Sequence, residues 1–202
     1  MMALIAAVCS FGPGPLAAPL ADDPVAVGAP APSWTLLDSK GLEHSLAGFK
    51  GKFVVMEWTN HECPYVVKHY STGNMQALQT WATGQGVVWL SVVSSAPGKQ
   101  GHVDGPRAEA VMADKGHKCT AMLLDPTGET GRAYGAKTTP HMFVIDPEGR
   151  IIYMGGIDDR PTPDPADVPG ARNHVRAALE EALAGRPVSV PKSQPYGCSV
   201  KY

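Results

Sequence analysis

The stretch Phe53-Val54-Val55-Met56-Glu57-Trp58-Thr59-Asn60-His61-Glu62-Cys63-Pro64-Tyr65 decides how the rest of the chain is read. From Lys52 to Trp58 it is a short apolar run rich in β-branched residues and bounded by Gly51, the signature of a strand buried on both faces. Pro64 follows Cys63 and suits the first turn of a helix, where its missing N–H costs nothing. A cysteine between a buried strand and a helix start faces unpaired main-chain N–H groups and the positive end of the helix dipole, and both favour a thiolate. The competing reading, that Cys63 is a small buried hydrophobe, stays open on these residues alone.

Outward from this centre the chain alternates strands and helices. Trp34–Leu37 and Glu43–Leu46 flank an Asp38-Ser39-Lys40-Gly41 turn and read as a hairpin. Beyond Pro64, the positions of Val67, Tyr70, Met75, Leu78 and Trp81 predict a helix interrupted near Ser71–Gly73. Val87–Ser94 reads as a second buried strand, Ser95–Gly105 as a long polar surface loop, and Pro106–Lys115 as a helix opened by proline. Ala121–Asp125 and Met142–Asp146 are further strands on either side of a short helix over Gly128–Tyr134. The Pro147-Glu148-Gly149 turn leads to a hairpin partner at Arg150–Met154. Val175, Leu179, Ala182 and Leu183 form a helical stripe ending at Gly185. The expected fold class is α/β, a three-layer sandwich with a mixed central sheet, an N-terminal β-hairpin and a C-terminal tail. Residues 33–185 form the expected domain, residues 22–32 an extended lead-in and residues 186–202 a tail without periodicity.

With 202 residues, 44% of them hydrophobic, the chain has material for one substantial core. A formal net charge of −2 leaves no basic footprint for nucleic acid or anionic lipid. Met1–Ala21 carries no Lys, Arg, Asp or Glu and includes an apolar run from Met2 to Val8. It reads as an imperfect signal peptide, which implies a periplasmic or secreted protein, or a cytoplasmic one if the start is misassigned. No segment approaches the length of a membrane span. Cysteines stand at 9, 63, 119 and 198. Loss of Cys9 with a signal peptide leaves an odd number, which argues for at least one free or exchanging thiol.

The block around Cys63, together with Val27-Gly28-Ala29-Pro30-Ala31-Pro32, Thr138-Thr139-Pro140-His141-Met142-Phe143-Val144-Ile145-Asp146 and the final Tyr196-Gly197-Cys198-Ser199-Val200-Lys201-Tyr202, resembles the thioredoxin-like redoxins, in particular the peroxiredoxin-like branch of the AhpC/TSA superfamily. The resemblance implies the thioredoxin fold, with Thr139-Pro140 as a cis peptide facing the nucleophile. It also implies where the chain departs from its relatives. Typical peroxiredoxins have Thr or Ser three residues before the reactive cysteine, Pro seven before it, and an Arg on the facing strand. Here Asn60, Met56 and Pro140 stand at the corresponding places. The Cys-x-x-Cys pair of thioredoxins is reduced to its first member in Cys63-Pro64-Tyr65-Val66.

The expected enzyme is therefore a thiol-disulfide oxidoreductase or a peroxiredoxin-like antioxidant enzyme with Cys63 as nucleophile and Cys198, on a mobile tail, as resolving thiol. Glu57 is a candidate proton donor and acceptor, and Pro140 completes the catalytic group. Asn60, His61 and Thr139 are expected to contact substrate. Partners would be protein or small-molecule disulfides, or peroxides, plus a thiol reductant, with no cofactor. Cys119 reads as a half-buried strand-edge residue, Tyr65, Trp58 and Trp81 as core, and Asp158 and Asp159 as solvated turn residues. One alternative uses Cys63, His61 and His141 to carry copper or zinc. Another retains the fold as a redox-inert partner-binding module.

Overall fold

The computed structural model describes residues 25–202. The expectations for Met1–Ala21 and Cys9 lie outside these residues. A seven-stranded mixed sheet runs through the molecule. Its strands, in chain order, are β1 (Thr35–Asp38), β2 (Glu43–Ser45), β3 (Val54–Trp58), β4 (Val88–Val93), β5 (Ala121–Leu124), β7 (His141–Ile145) and β8 (Ile151–Gly155). They are ordered β2-β1-β5-β4-β3-β7-β8, with β3, β4 and β5 parallel and the other pairings antiparallel. Two short strands, β6 (Thr138–Thr139) and β9 (Cys198–Ser199), pair separately and antiparallel.

Central β3 is buried along its whole length, which is why its sequence is apolar without alternation. Strand parity still sorts its side chains. Val54, Met56 and Trp58 join one core layer with Trp34, Leu90, Tyr134 and Phe143. Val55 faces the other layer, where Met142, Val144 and Trp89 meet the helices α1 (Pro64–Ser71), α2 (Asn74–Gly84) and α5 (His174–Leu183). A third cluster packs Val93 and Met122 against Ala108 and Val111 of α3 (Gly105–Lys115). The short α4 (Glu129–Ala133) ends beside Tyr134, whose ring packs on Trp58 and Phe143.

The predicted interruption of the first long helix is real. Gly73 adopts φ +74°, a conformation that costs a glycine little, and restarts the chain as α2. The expected surface loop at 95–105 is less exposed than its polarity suggests: Gly101 and Val103 are buried, and the Gly101 amide donates to Glu62 Oε2 at 3.0 Å. The tail also departs from expectation. Rather than being mobile, it is docked along the molecule. Pro191 and Ser193 exchange main-chain hydrogen bonds with Met154, and Val200 N–H donates to Lys137 O. Tyr202 donates to Ala136 O at 2.8 Å beneath the Arg132 guanidinium.

Candidate active site

Cys63 occupies the N-cap of α1, with Pro64 at the first helical position. Its carbonyl accepts the amides of Val66 and Val67 at 2.9 and 2.8 Å, while its own amide donates to Asn60 O at 3.0 Å. The sulfur is wholly buried and, as a thiol, donates to Thr139 O at 3.1 Å. Thr139-Pro140 is cis, and Pro140 is buried beside it. The antiparallel register of β6 and β9 sets Cys198 opposite Thr139, so the second thiol arrives across the strand that already touches the first.

The two sulfurs are electrostatically unequal. Burial alone would raise the Cys63 pKa, but the Cys198 thiol, the Thr139 hydroxyl and the amides of Cys198 and Val66 favour the thiolate more strongly, and the net shift is downward. The Thr139 hydroxyl is buried without a fully formed hydrogen bond, leaving it free to answer a charge on that sulfur. Burial, then the hydrogen bond and charge of Cys63, push Cys198 up to about 11. The arrangement sets a thiol shifted toward its thiolate near one shifted toward its protonated form, both of them free. Cys119, half-buried as expected, is raised by burial to about 12 and is a poor nucleophile.

Gly197 permits this approach. Its φ is +131°, and a Cβ placed there would lie 2.0 Å from Thr139 O. Just before it, the buried Tyr196 ring stands edge-on to Tyr65, and its hydroxyl donates to Asp158 Oδ1. Asp158 is 3% exposed, which corrects the expectation of a solvated turn residue; neighbouring Asp159 is partly exposed, as expected. Lys68 and His69, on the helix that Cys63 begins, approach Asp158 Oδ2 at 4.0 and 3.9 Å. No local sequence pattern marks this buried cluster.

Glu57 is fully buried on β3. Burial raises its pKa despite hydrogen bonds from Trp89 Nε1 at 2.8 Å, Tyr70 Oη at 2.9 Å, Ser91 Oγ at 3.1 Å and Gln79 Nε2 at 3.1 Å. These partners connect it to α1 through Tyr70, and none is Cys63 or Cys198. Asn60, 1% exposed, is committed to the loop before Cys63: its Oδ1 accepts the Glu62 amide at 2.9 Å, and its Nδ2 donates to Gln100 O at 3.4 Å. His61 is half-buried beside Glu62, and burial lowers its pKa.

His141 is not brought to Cys63. It packs on Phe143 at 4.6 Å between ring centres, on the opposite face of β7 from Met142, which shares the Cys63 layer. Its Nδ1 accepts the Lys137 amide at 3.3 Å, and burial lowers its pKa to about 4. Among the described residues no three His, Cys, Asp or Glu side chains are grouped to hold a metal ion. The copper or zinc carrier expected as an alternative has no ligand set there. Trp58 lies in the core as expected; Trp81 is half-buried under the Arg176 guanidinium at 3.6 Å.

The Redoxin family profile matches residues 26–174. The thiol-disulfide oxidoreductase ResA of Geobacillus thermodenitrificans is 25% identical over 134 residues, covering 63% of this chain and 67% of that protein. A hypothetical protein from Sinorhizobium meliloti superposes with a TM-score of 0.75 at 25% identity, over 89% of this chain and 96% of its own. The thioredoxin domain of a thiol-disulfide oxidoreductase from Bacteroides vulgatus superposes with a TM-score of 0.52 at 23% identity, over 64% of this chain and 88% of its own, a likeness of fold.

Proposed function

Given that the chain belongs to the Redoxin family, we propose that it is a thiol-disulfide oxidoreductase in which Cys63 is the nucleophile and Cys198 resolves the mixed disulfide. The observation that carries this reading is that Thr139, whose carbonyl accepts the Cys63 thiol at 3.1 Å, is paired across β6 and β9 with Cys198, and the opposed pKa shifts of the two cysteines agree with it. The Cys63 thiolate attacks one sulfur of a substrate disulfide, forms a mixed disulfide and expels the other sulfur as a thiolate. Cys198 then transfers its proton to the departing substrate sulfur and attacks Cys63 Sγ. The substrate disulfide gains two electrons, and the protein is left with a Cys63–Cys198 disulfide. A thiol reductant returns it to the dithiol.

Thr139 and Pro140 flank the reacting sulfur, and Asn60 and His61 shape the loop before it. Glu57 acts one layer below, holding α1 through Tyr70. Disulfide exchange is favoured over peroxide reduction because Asn60, Met56 and Pro140 stand where typical peroxiredoxins have the Thr or Ser, the Pro and the Arg. Residues 33–185 make up the catalytic domain and residues 186–202 the tail that completes the site. The apolar Met1–Ala21 supports a periplasmic or secreted location; among the described residues no helix is long and apolar enough to cross a membrane.

The test is stopped-flow mixing of the reduced full chain with oxidised glutathione or hydrogen peroxide, followed by non-reducing peptide mapping. The expected result is loss of two protein thiols and gain of two glutathione thiols per disulfide reduced, a peptide linking 63 to 198, and no reaction in Cys63→Ser. A fast, saturable thiol loss with peroxide alone overturns the exchange assignment. Absence of the 63–198 peptide overturns Cys198 as resolving thiol.

A further inference from the structure

Four buried polar side chains lie between the nucleophile's helix and the tail. Lys68 and His69 belong to α1, Asp158 follows β8, and Tyr196 precedes Cys198 by two residues; all are less than a tenth exposed. Asp158 Oδ1 accepts the Tyr196 hydroxyl and, at 2.9 Å, the Arg160 amide. Its Oδ2 has no hydrogen-bond partner and faces Lys68 Nζ and His69 Nε2 across about 4 Å. Lys68 Nζ donates to Arg160 O at 2.8 Å and stands 5.7 Å from the centre of the Tyr196 ring. His69 Nε2 lies 3.3 Å from the Tyr196 hydroxyl.

A buried charge cluster with one oxygen left unmatched is a poor source of stability, since desolvation offsets most of its attraction. Its geometry has another consequence. The Tyr196 hydroxyl has a fixed address on a loop and a helix of the main body, and two residues later the chain reaches Cys198. We infer that Asp158, acting through Tyr196, is a positioning residue that holds Cys198 within bonding reach of Cys63. The inference rests on Cys198 being the resolving thiol and names what keeps it there. A tether of this kind raises the effective concentration of one thiol at the other without touching either.

The test uses the full chain with Tyr196→Phe, which removes only the hydroxyl, and with Asp158→Ala and Asp158→Asn. Each variant is equilibrated against reduced and oxidised dithiothreitol, and the Cys63–Cys198 disulfide is quantified by alkylation and mass. Because hydrogen bonds to charged groups are the stronger ones, Tyr196→Phe and Asp158→Ala are expected to lower the disulfide equilibrium constant about tenfold. Asp158→Asn, which keeps an acceptor without the charge, should recover part of that loss. A merely structural role would lower the melting temperatures of the reduced and oxidised forms alike and leave the equilibrium constant at the wild-type value, and this outcome overturns the inference. If Asp158→Ala does not fold, the comparison of Tyr196→Phe with wild type decides. A wild-type chain that forms no 63–198 disulfide at any ratio defeats the resolving assignment itself. A wild-type chain that forms it, alongside variants that form it equally well, defeats only the positioning role.

Discussion

Replacing Gly197 by alanine should unseat the strand that covers Cys63. The new Cβ would stand 2.0 Å from Thr139 O and 2.8 Å from Thr139 C, backbone atoms of the residue before the cis peptide. Ordinary contact would require that carbonyl to retreat by about 1.4 Å, and it cannot do so while still accepting the Cys63 thiol. The φ of +131° adds a further cost of about 1–3 kcal/mol for a residue with a side chain. The cheaper response is for the tail around Tyr196–Ser199 to lift. Lifting gives up burial of the Tyr196 side chain, about 2 kcal/mol, and a hydrogen bond to a buried carboxylate, about 1.5–3 kcal/mol. Together these come to about 3.5–5 kcal/mol, so strain sufficient to lift the tail shifts the balance between covered and uncovered states by more than about 100-fold.

Iodoacetamide alkylation of Cys63 in a Cys119→Ser background reads this shift, because the wild-type sulfur is wholly buried. Two effects oppose each other near neutrality. Uncovering the sulfur raises access by about 100-fold or more, while loss of the Cys198 donors lowers the thiolate fraction. Access is the larger effect, so the net expectation at pH 7 is faster alkylation than in wild type, with the gain growing as pH rises and ionisation ceases to limit. The Cys63–Cys198 disulfide should form poorly in the same variant. An alkylation rate and disulfide yield both equal to wild type would refute the claim that Gly197 is what lets the tail close over the nucleophile.

Three further outcomes follow from the same contacts. Cys198→Ala removes a donor that favours the Cys63 thiolate, so the Cys63 pKa measured by alkylation against pH should rise; an unchanged or lower value contradicts the assigned cause. His69 and His141 are held neutral by burial, with pKa values lowered from 6.5 to about 4. Their contribution to stability is fully present above pH 6.5 and is lost as pH falls through about 4, about 3 kcal/mol for each; urea midpoints equal at pH 7 and pH 4.5 would rule this out. Glu57→Gln turns an amide N–H₂ toward side chains that donate to the carboxylate, which should cost about 1–3 kcal/mol in urea denaturation. The pH dependence of Cys63 alkylation should stay the same, since Glu57 touches neither thiol, and a shifted profile would restore it to the proton-transfer step.

The order of strands and helices was legible because each element carries its own short-range signal. The β-branched run ending at Trp58, Pro64 after Cys63, and the break at Gly73 are local statements, and the structure agrees with them. What escaped was set by partners distant in the chain. Asp158 and Asp159 look alike in sequence, yet one is buried because Tyr196 and His69 close over it and the other is not. Gly197 reads as an ordinary tail glycine until Thr139 O is placed against it. His141 is a different case, since strand parity alone could have assigned it to the Phe143 face of β7, away from Cys63.

The position of the second thiol changes what the tail must do. In a Cys-x-x-Cys motif both sulfurs would sit at one helix start, but here Val66 fills the later position and the partner sulfur comes from across β6. A helix-borne partner leaves the nucleophile open to substrate, whereas a tail-borne partner covers it, and Cys63 is fully covered. In the proposed exchange the same segment lifts for a substrate disulfide to enter and returns for Cys198 to displace the bound substrate thiol. Anchoring that is too tight slows entry, while anchoring that is too loose lengthens the life of the mixed disulfide. An anchor beside Cys198 that joins one buried tyrosine ring to a hydroxyl bond on an imperfectly matched carboxylate suits a contact that must break and re-form in every cycle.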